Sequence, residues 1–412
     1  MGLKGAAAPM DITEKFATLG VDNAPGQESL RKDSPLCLRG PALDGTAVDF
    51  SHGDVDAHKP TPGSLGLFTE GVLLTGAAQA YTPYRGKSSI LESLAPRLSD
   101  FTGAAIDPAS ELILTPGTQG ALFLAMGANV MPGDKVAIVE PDYFANRKMV
   151  EFFHSEMIPV PLDWQAHRDK AGLDLDALEK AFQAGARLFL FSNPNNPTGC
   201  IYSGDEIRAI ASLAAAYGAT LIVDQLYCRQ IYDGTKYIHL CAEHKRPDNI
   251  ITIMGPSKTE SLSGYRLGAA FGTAAIIERM KKLQAIMALR CGGYNQAVFE
   301  CWFKEPEEWL AARTETHRQI RDDLMAVINA TEGVSARPTE GGSYLFVTLP
   351  ELDVSLHEFI RIARARAAVT VTPGTEFGPQ FLHQFRINFS QDHDAAVDAL
   401  KRLFKLMEMY RQ

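Results

Sequence analysis

The chain has 412 residues, 46% hydrophobic and 22% charged, with a net charge of −9. It is a globular chain longer than one core usually supports, and it carries no basic footprint for nucleic acid. Its six cysteines (Cys37, Cys200, Cys228, Cys241, Cys291, Cys301) form no C-x-x-C pair, which argues against a zinc site and a disulfide framework, and no metal is expected. No apolar run approaches the roughly 18 residues of a membrane helix, and the first residues lack the basic-then-apolar layout of a secretory signal. The opening Met1-Gly2 is not a myristoylation signal, because Ala6 stands where Ser or Thr is needed. A cytoplasmic protein without a membrane or nucleic-acid partner is expected.

Residues 1 to about 50 read as an arm, in which Asp11 and Glu14 can cap a short helix before the turn-rich stretch 21–26. From about 110 onward, short apolar runs alternate with helical periods, the mark of βαβ units around a mostly parallel sheet. The run Leu112-Ile113-Leu114-Thr115 leads through Pro116-Gly117 into a helix from Thr118, and a strand over 135–139 follows the turn 131–134. Next come strands over 157–162 and 188–191 with a helix from about 173 to 184 between them, a helix over 204–217, and a strand over 220–223. Strands at 250–253 and near 267–271 and a helix over 275–288 close this part. Beyond about 305 the pattern predicts a charged helix over 307–330, a strand over 344–347, a helix over 355–366, strands near 369–372 and 385–389, and a last helix from about 392. The expected organisation is an arm contributing to a small domain (1–60), a large α/β domain of a mostly parallel sheet flanked by helices (61–304), and a smaller α+β domain (305–412).

Three strings stand just after predicted buried strands. The first is Ser192-Asn193-Pro194-Asn195-Asn196-Pro197-Thr198-Gly199, whose X-Pro units force a rigid extended loop at the edge where open α/β sheets place ligands. An ordinary turn reads the same way. The second, Val223-Asp224-Gln225-Leu226-Tyr227, leaves a carboxylate at that edge, where a helix cap is the plainer role. The third is Gly255-Pro256-Ser257-Lys258-Thr259, followed by Gly264-Tyr265-Arg266-Leu267-Gly268. A lysine after a buried strand with an arginine eight residues on is not what packing alone demands.

Together these strings resemble the fold-type I pyridoxal-5'-phosphate enzymes of the aspartate-aminotransferase class, from about Gly53 to Arg386. The resemblance includes Tyr81-Thr82-Pro83-Tyr84-Arg85-Gly86, Gly117-Thr118-Gln119-Gly120-Ala121-Leu122, Pro141-Asp142-Tyr143, residues 338–344, and Pro373-Gly374-Thr375-Glu376-Phe377-Gly378 leading to Arg386. It implies that Lys258 forms the Schiff base with the cofactor aldehyde and shuttles the substrate's Cα proton. Asp224 would keep the pyridine nitrogen protonated, since a buried anion favours the charged ring. Asn196 and Tyr227 match positions that hydrogen-bond the cofactor's phenolic oxygen, and Tyr143 matches the aromatic stacked on its ring. The phosphate would sit at the helix start Gly117-Thr118-Gln119 with Arg266 beside it. The family commonly has Ser three residues before the lysine, where this chain has Gly255, so Ser257 or Thr118 would have to compensate. Arg386 matches the arginine that grips the substrate α-carboxylate; its neighbours Phe385, Ile387 and Phe389 alternate apolar around it, which turns it toward a polar cleft. Gly53 belongs to the substrate-side loop, and Tyr81 matches a tyrosine lent to the neighbouring subunit's phosphate, which implies a homodimer.

Two features bear on the substrate and point in different directions. Arg290 falls close to the cross-subunit arginine of dicarboxylate-specific relatives, although a solvated helix-end arginine reads the same. Asp54 and Asp56, flanking Val55 ahead of His58, could instead pair with a basic substrate, although Asp is common in such loops for local reasons. The leading reading is an aminotransferase moving an amino group from an α-amino acid to a 2-oxo acid. The same site could support elimination, cyclisation or oxidation. A DNA-binding regulator built on this fold would need an added basic domain, for which the first 50 residues are too few.

Overall fold

The computed structural model describes residues 12–17, 19, 36–53, 58–73, 80–167, 169–306 and 308–412. In chain order the first elements are α1 (Ile12–Ala17), β1 (Val48–Asp49), α2 (Ser64–Leu73), α3 (Ser88–Thr102), β2 (Leu112–Pro116) and α4 (Gly117–Gly127). There follow β3 (Lys135–Glu140), α5 (Phe144–Phe152), β4 (Glu156–Pro161), α6 (Leu175–Gln183), β5 (Leu188–Ser192), α7 (Gly204–Tyr217) and β6 (Thr220–Asp224). Then come β7 (Ile250–Met254), β8 (Leu267–Gly272), α8 (Ala274–Met287), α9 (Trp309–Asn329), β9 (Ser335–Ala336) and β10 (Tyr344–Thr348). The chain ends with α10 (Leu356–Ala367), β11 (Val369–Thr370), β12 (Thr372–Pro373), β13 (Gln384–Asn388) and α11 (His393–Met407).

Seven strands form one sheet in the order β2-β8-β7-β6-β5-β3-β4. It is a mostly parallel sheet in which β8 alone runs against both neighbours, β2 and β7. Helices cover both faces, so its strands are apolar on both sides rather than alternating. In β5, Phe189 and Phe191 enter one core with Leu94, Leu98 and Trp302, while Leu188 and Leu190 enter the other with Leu122, Ile222 and Met280. Each fully buried side chain of this size stabilises the fold by about 1.5–3 kcal/mol relative to exposure.

A second, antiparallel sheet has the order β12-β13-β10-β9. Phe385 and Ile387 on β13 pack with Leu345, Phe359, Leu400 and Leu403 into a separate core that also takes Val48 and Phe50 from the arm. Between them Arg386, opposite Phe346 and Thr372 in register, turns to the other face of the sheet.

Local signals explain the best-matched elements. Ser203 and Glu206 form a reciprocal capping box at the start of α7, and Gly218 closes it in the left-handed region. Glu206 also accepts the N–H groups of Ala171, Gly172 and Leu173 at 2.8–3.0 Å, so one buried carboxylate ties a loop to a helix start. Helices α2, α3 and α5 carry no comparable signal. Pro96 lies inside α3, and α5 follows Tyr143, which provides no side-chain cap. The strand expected over 369–372 is two short strands in different sheets, β11 pairing with β1 and β12 with β13. The charged helix begins at Trp309, after Glu308 at φ 63°. Helix α1 occurs where the arm was expected to fold locally, while its expected cap Asp11 and the stretch 21–26 lie outside the described residues.

Because Glu206 serves four backbone donors counting its own cap, Glu206→Ala should lower the unfolding free energy by about 2–3 kcal/mol. Denaturant unfolding measures this, and a loss no larger than that of Ser203→Ala would show the loop bonds to be idle.

Candidate active site

At the carboxyl ends of β5, β6 and β7 a cavity of about 360 Å³ opens, with Arg386 of the small sheet on its far wall. Strand ends are where this architecture leaves backbone and side chains unpaired, and so where ligands bind.

Asp224, the last residue of β6, lines the cavity and is reached by the N–H of Leu226 at 3.1 Å. Burial pushes its carboxyl up to about 6, against the pull of the Leu226 N–H and of the Lys258 charge. Lys258 follows β7 on a turn, and its ammonium donates to the carbonyl of Gly53. A Cβ at position 53 would lie 2.7 Å from that nitrogen, so a larger residue would displace the lysine from its present place.

The start of α4 forms another wall. Gly117, at φ 75°, donates its N–H to the Arg266 carbonyl at 2.9 Å, and Thr118, Gln119 and Arg266 all line the cavity. A Cβ on Gly117 would run into the Arg266 guanidinium, and one on Gly268 into the backbone of Gly117. The chain is therefore drawn tight here, leaving an N-terminal helix turn and a guanidinium together, a combination suited to an anion. Ser257 Oγ, also on the cavity wall, is buried and has no hydrogen-bond partner among the described residues. The departure at Gly255 has a steric cause. A Cβ there would lie 2.7 Å from the Thr118 methyl and 3.0 Å from the Leu267 carbonyl.

Tyr143 lines the cavity and donates its hydroxyl to Gln119 Oε1 at 3.0 Å. Tyr227 donates to the hydroxyl of Tyr344 at 2.7 Å. Arg386 donates from Nη1 to Asn196 Oδ1 at 2.9 Å and from Nη2 to the Ser51 carbonyl at 3.0 Å, with the Tyr344 ring 4.1 Å from its guanidinium carbon. Its Nε remains buried without a partner. Gly53, Gly117, Thr118, Gln119, Tyr143, Asn196, Asp224, Tyr227, Ser257, Lys258, Arg266 and Arg386 thus meet around one volume, with Gly117 at its edge.

Tyr81 and Arg290 do not. Tyr81 is 78% exposed, and the Arg290 guanidinium sits 4.6 Å above its ring and 5.3 Å from that of Tyr84. Asp54 and Asp56 lie outside the described residues. His58 is bonded to His317 at 2.9 Å, away from the cavity, and burial lowers it to about 4.

Sequence reasoning passed over Tyr344, which sits between Tyr227 and Arg386, and Glu376, which lines the cavity and is paired with Lys148 at 2.9 Å. Both lie in strings that were singled out, but nothing local distinguishes a strand tyrosine that packs from one that faces a cleft. Asp142 and Ser192 were also passed over. The signal for them was a polar residue where a buried strand end leaves little water.

The family model described as aminotransferase class I and II matches residues 49–403. A protein of Musicola paradisiaca named aspartate aminotransferase is 25% identical over 369 residues, covering 89% of each chain. A probable N-succinyldiaminopimelate aminotransferase of Mycobacterium tuberculosis is 26% identical over 350 residues, covering 81% of this chain and 87% of its own. Among solved structures, an aspartate aminotransferase from Rhodobacter sphaeroides is 58% identical with a TM-score of 0.92, covering 98% of this chain and 100% of the other. These relatives favour transamination over elimination, cyclisation or oxidation. The chain belongs to the class I and II aminotransferases, pyridoxal-phosphate-dependent enzymes that move an amino group from an α-amino acid to a 2-oxo acid.

Proposed function

We propose that the cofactor lies in the cavity at the strand ends, with Lys258 as its covalent anchor, and that the preferred donor is a dicarboxylic amino acid such as aspartate or glutamate. The observation that carries the first part is the meeting of Lys258, Asp224, Arg266 and Arg386 around a single volume. The fit is supported by groups the protein leaves unfinished. Asp224 is a half-buried, desolvated carboxylate suited to a pyridinium, and the unpartnered Ser257 hydroxyl and the start of α4 suit a phosphate.

Bound there, pyridoxal phosphate supplies a sink for the electron pair released when the substrate's Cα–H bond breaks. The chain's own residues do the rest. Arg386 binds the α-carboxylate through its two-pronged guanidinium, and Asn196 Oδ1 and the Ser51 carbonyl hold that fork in place. Lys258, which would anchor the cofactor, would once released from it serve as the base that takes the substrate's Cα proton on Nζ. Asp224 would hold the proton on the ring nitrogen. Tyr143 would pack against the ring, and Asn196 and Tyr227, the latter kept in place by Tyr344, would serve its phenolic oxygen. Gly117, Thr118, Gln119, Ser257 and Arg266 serve the phosphate.

The dicarboxylate reading draws on the Rhodobacter sphaeroides relative and on Arg290. It requires a homodimer in which Tyr81 and Arg290 complete the neighbouring subunit's site. Exposed apolar side chains beside them, Ile286 at 83% and Leu289 at 39%, support such an isologous contact. The division into an arm with part of the small domain (1–60), a large domain (61–304) and a small domain (305–412) is supported by the separate core around the second sheet. A cytoplasmic setting is in keeping with free thiols and with the finding that no described helix is long and apolar enough to cross a membrane.

Purified protein given aspartate and 2-oxoglutarate should form glutamate, and Lys258→Ala should abolish both that turnover and the yellow colour of the wild-type protein; retained colour and full turnover in the variant would refute the assignment. Arg290→Ala should raise KM for aspartate about tenfold or more, the worth of one charged contact, and leave an uncharged donor nearly unchanged. Equal effects on both donors would discard the dicarboxylate reading.

Asp224 also gives a pH prediction. Its folded pKa of about 6 lies above the ordinary value, so its favourable contribution to stability is present below about pH 4 and lost as pH rises through 6. The cofactor-free Asp224→Asn protein should therefore gain on its parent by up to about 3 kcal/mol between pH 4 and pH 7.5. Saturating cofactor should reverse that gain at pH 7.5. Unfolding curves that keep a constant gap across this range would show that burial does not strain the carboxylate.

A further inference from the structure

Between β3 and α5, behind the cavity wall rather than on it, lies a fully buried carboxylate. Asp142 is 2% exposed. Its Oδ1 accepts the N–H of Tyr143 at 2.6 Å and the hydroxyl of Ser192 at 2.5 Å, and its Oδ2 accepts the N–H of Ser192 at 2.9 Å. The Ser192 hydroxyl, having given its proton to Asp142, has its lone pairs left for the N–H of Asn196 at 3.0 Å. Asn196 in turn receives Nη1 of Arg386 at 2.9 Å. A series of three hydrogen bonds, through Ser192 and Asn196, therefore runs from a buried carboxylate on the β3 side of the sheet to the guanidinium on the small sheet. A separate branch from the same anion ends on the backbone of Tyr143.

We propose that Asp142 is a positioning residue for both halves of the active site: through Tyr143 it sets the aromatic face over the cofactor ring, and through Ser192 and Asn196 it sets the arginine that takes the substrate carboxylate. The inference rests on the cofactor and substrate roles proposed above for Tyr143 and Arg386. Its physical basis is that a carboxylate is acceptor-only and can serve three donors at once, which an amide of the same shape cannot. Burial, with the neighbouring charge of Asp224, raises the Asp142 carboxyl to about 7 against the pull of the Ser192 and Tyr143 donors, so its three accepted bonds are at full strength above that pH. Such an anion is tolerated only where the bonds it accepts are held rigid. Ser192 stands opposite Asp224 across β5 and β6, so the fixed end of the series is also next to the carboxylate proposed for the ring nitrogen.

The two branches separate the test. Asp142→Asn disturbs both, whereas Ser192→Ala removes the relay to Asn196 and leaves the bond to Tyr143. Asp142→Asn should weaken cofactor binding to the cofactor-free protein, read by fluorescence titration, and raise the amino-acid KM about tenfold, the worth of a hydrogen bond to a charged group. Ser192→Ala should raise KM similarly and weaken cofactor binding less than Asp142→Asn does, because the bond to Tyr143 is kept. In both variants kcat should change by less than KM. The double variant should show a KM near that of the worse single one, because both cut the same series.

An unmoved KM in Ser192→Ala, or single effects that multiply in the double variant, overturns the proposal. So does an Asp142→Asn protein with unchanged cofactor affinity. If Asp142→Asn does not fold, Ser192→Ala alone decides by the same KM criterion. Arg386→Lys is the control. If it leaves KM unchanged, the substrate reading itself fails; if it raises KM while Ser192→Ala does not, only the positioning role is lost.

Discussion

The cavity depends on charge held away from water. Asp224 ends a strand whose preceding residues Leu221, Ile222 and Val223 are completely buried, so its carboxyl is carried into the interior by the same hydrophobic burial that forms the sheet. Left alone such a group shifts toward its neutral form, as the rise to about 6 records. The N–H of Leu226 and the charge of Lys258 offset part of that cost. The protein keeps an unfavourable group where a cationic ring would make it favourable, and local strain of this kind is commonly found at functional sites rather than elsewhere.

Around that carboxylate the sheet topology does the positioning. Adjacent parallel strands end in Ser192 and Asp224, paired in register, and the turn after β7 delivers Ser257 and Lys258 beside them. Arg386 comes from an unrelated sheet. It is placed by the period-two alternation of β13, which commits Phe385 and Ile387 to the small core and leaves the residue between them to face the cleft. The arm closes the arrangement through two carbonyls, Ser51 receiving Arg386 and Gly53 receiving Lys258. Residues more than 300 positions apart thus meet because two cores pack against one another, and neither core alone contains the site.

Much of this was legible in the chain. Both-face burial makes strands such as β5 and β7 read as unbroken apolar runs, and the capping box at Ser203 fixes α7 to the residue. The strings at 192–199, 223–227 and 255–268 mark strand ends because they place turn and polar residues directly after those runs. Other parts were not legible, for definable reasons. Pro96 hides α3, and no side-chain cap announces α5. Tyr344 could not be told from a packing residue, since its role arises from a hydrogen bond to Tyr227, 117 residues away in sequence. Asp142 reads as an ordinary turn residue until Ser192 is seen against it. Tyr81 and Arg290 stack on each other at the surface, away from the cavity.

The crowding between Gly255 and Thr118 has a wider meaning. A single small volume is shared by the turn before the lysine and the first turn of α4, and the methyl of one occupies what a side chain on the other would need. Positions 118 and 255 are therefore a matched pair in the sense of a lock with one key slot. Enlarging 255 alone overpacks the slot and trimming 118 alone empties it, while a joint exchange removes the methyl clash and leaves the close approach to the Leu267 carbonyl. Scoring either residue singly against relatives would report a defect where there is a trade.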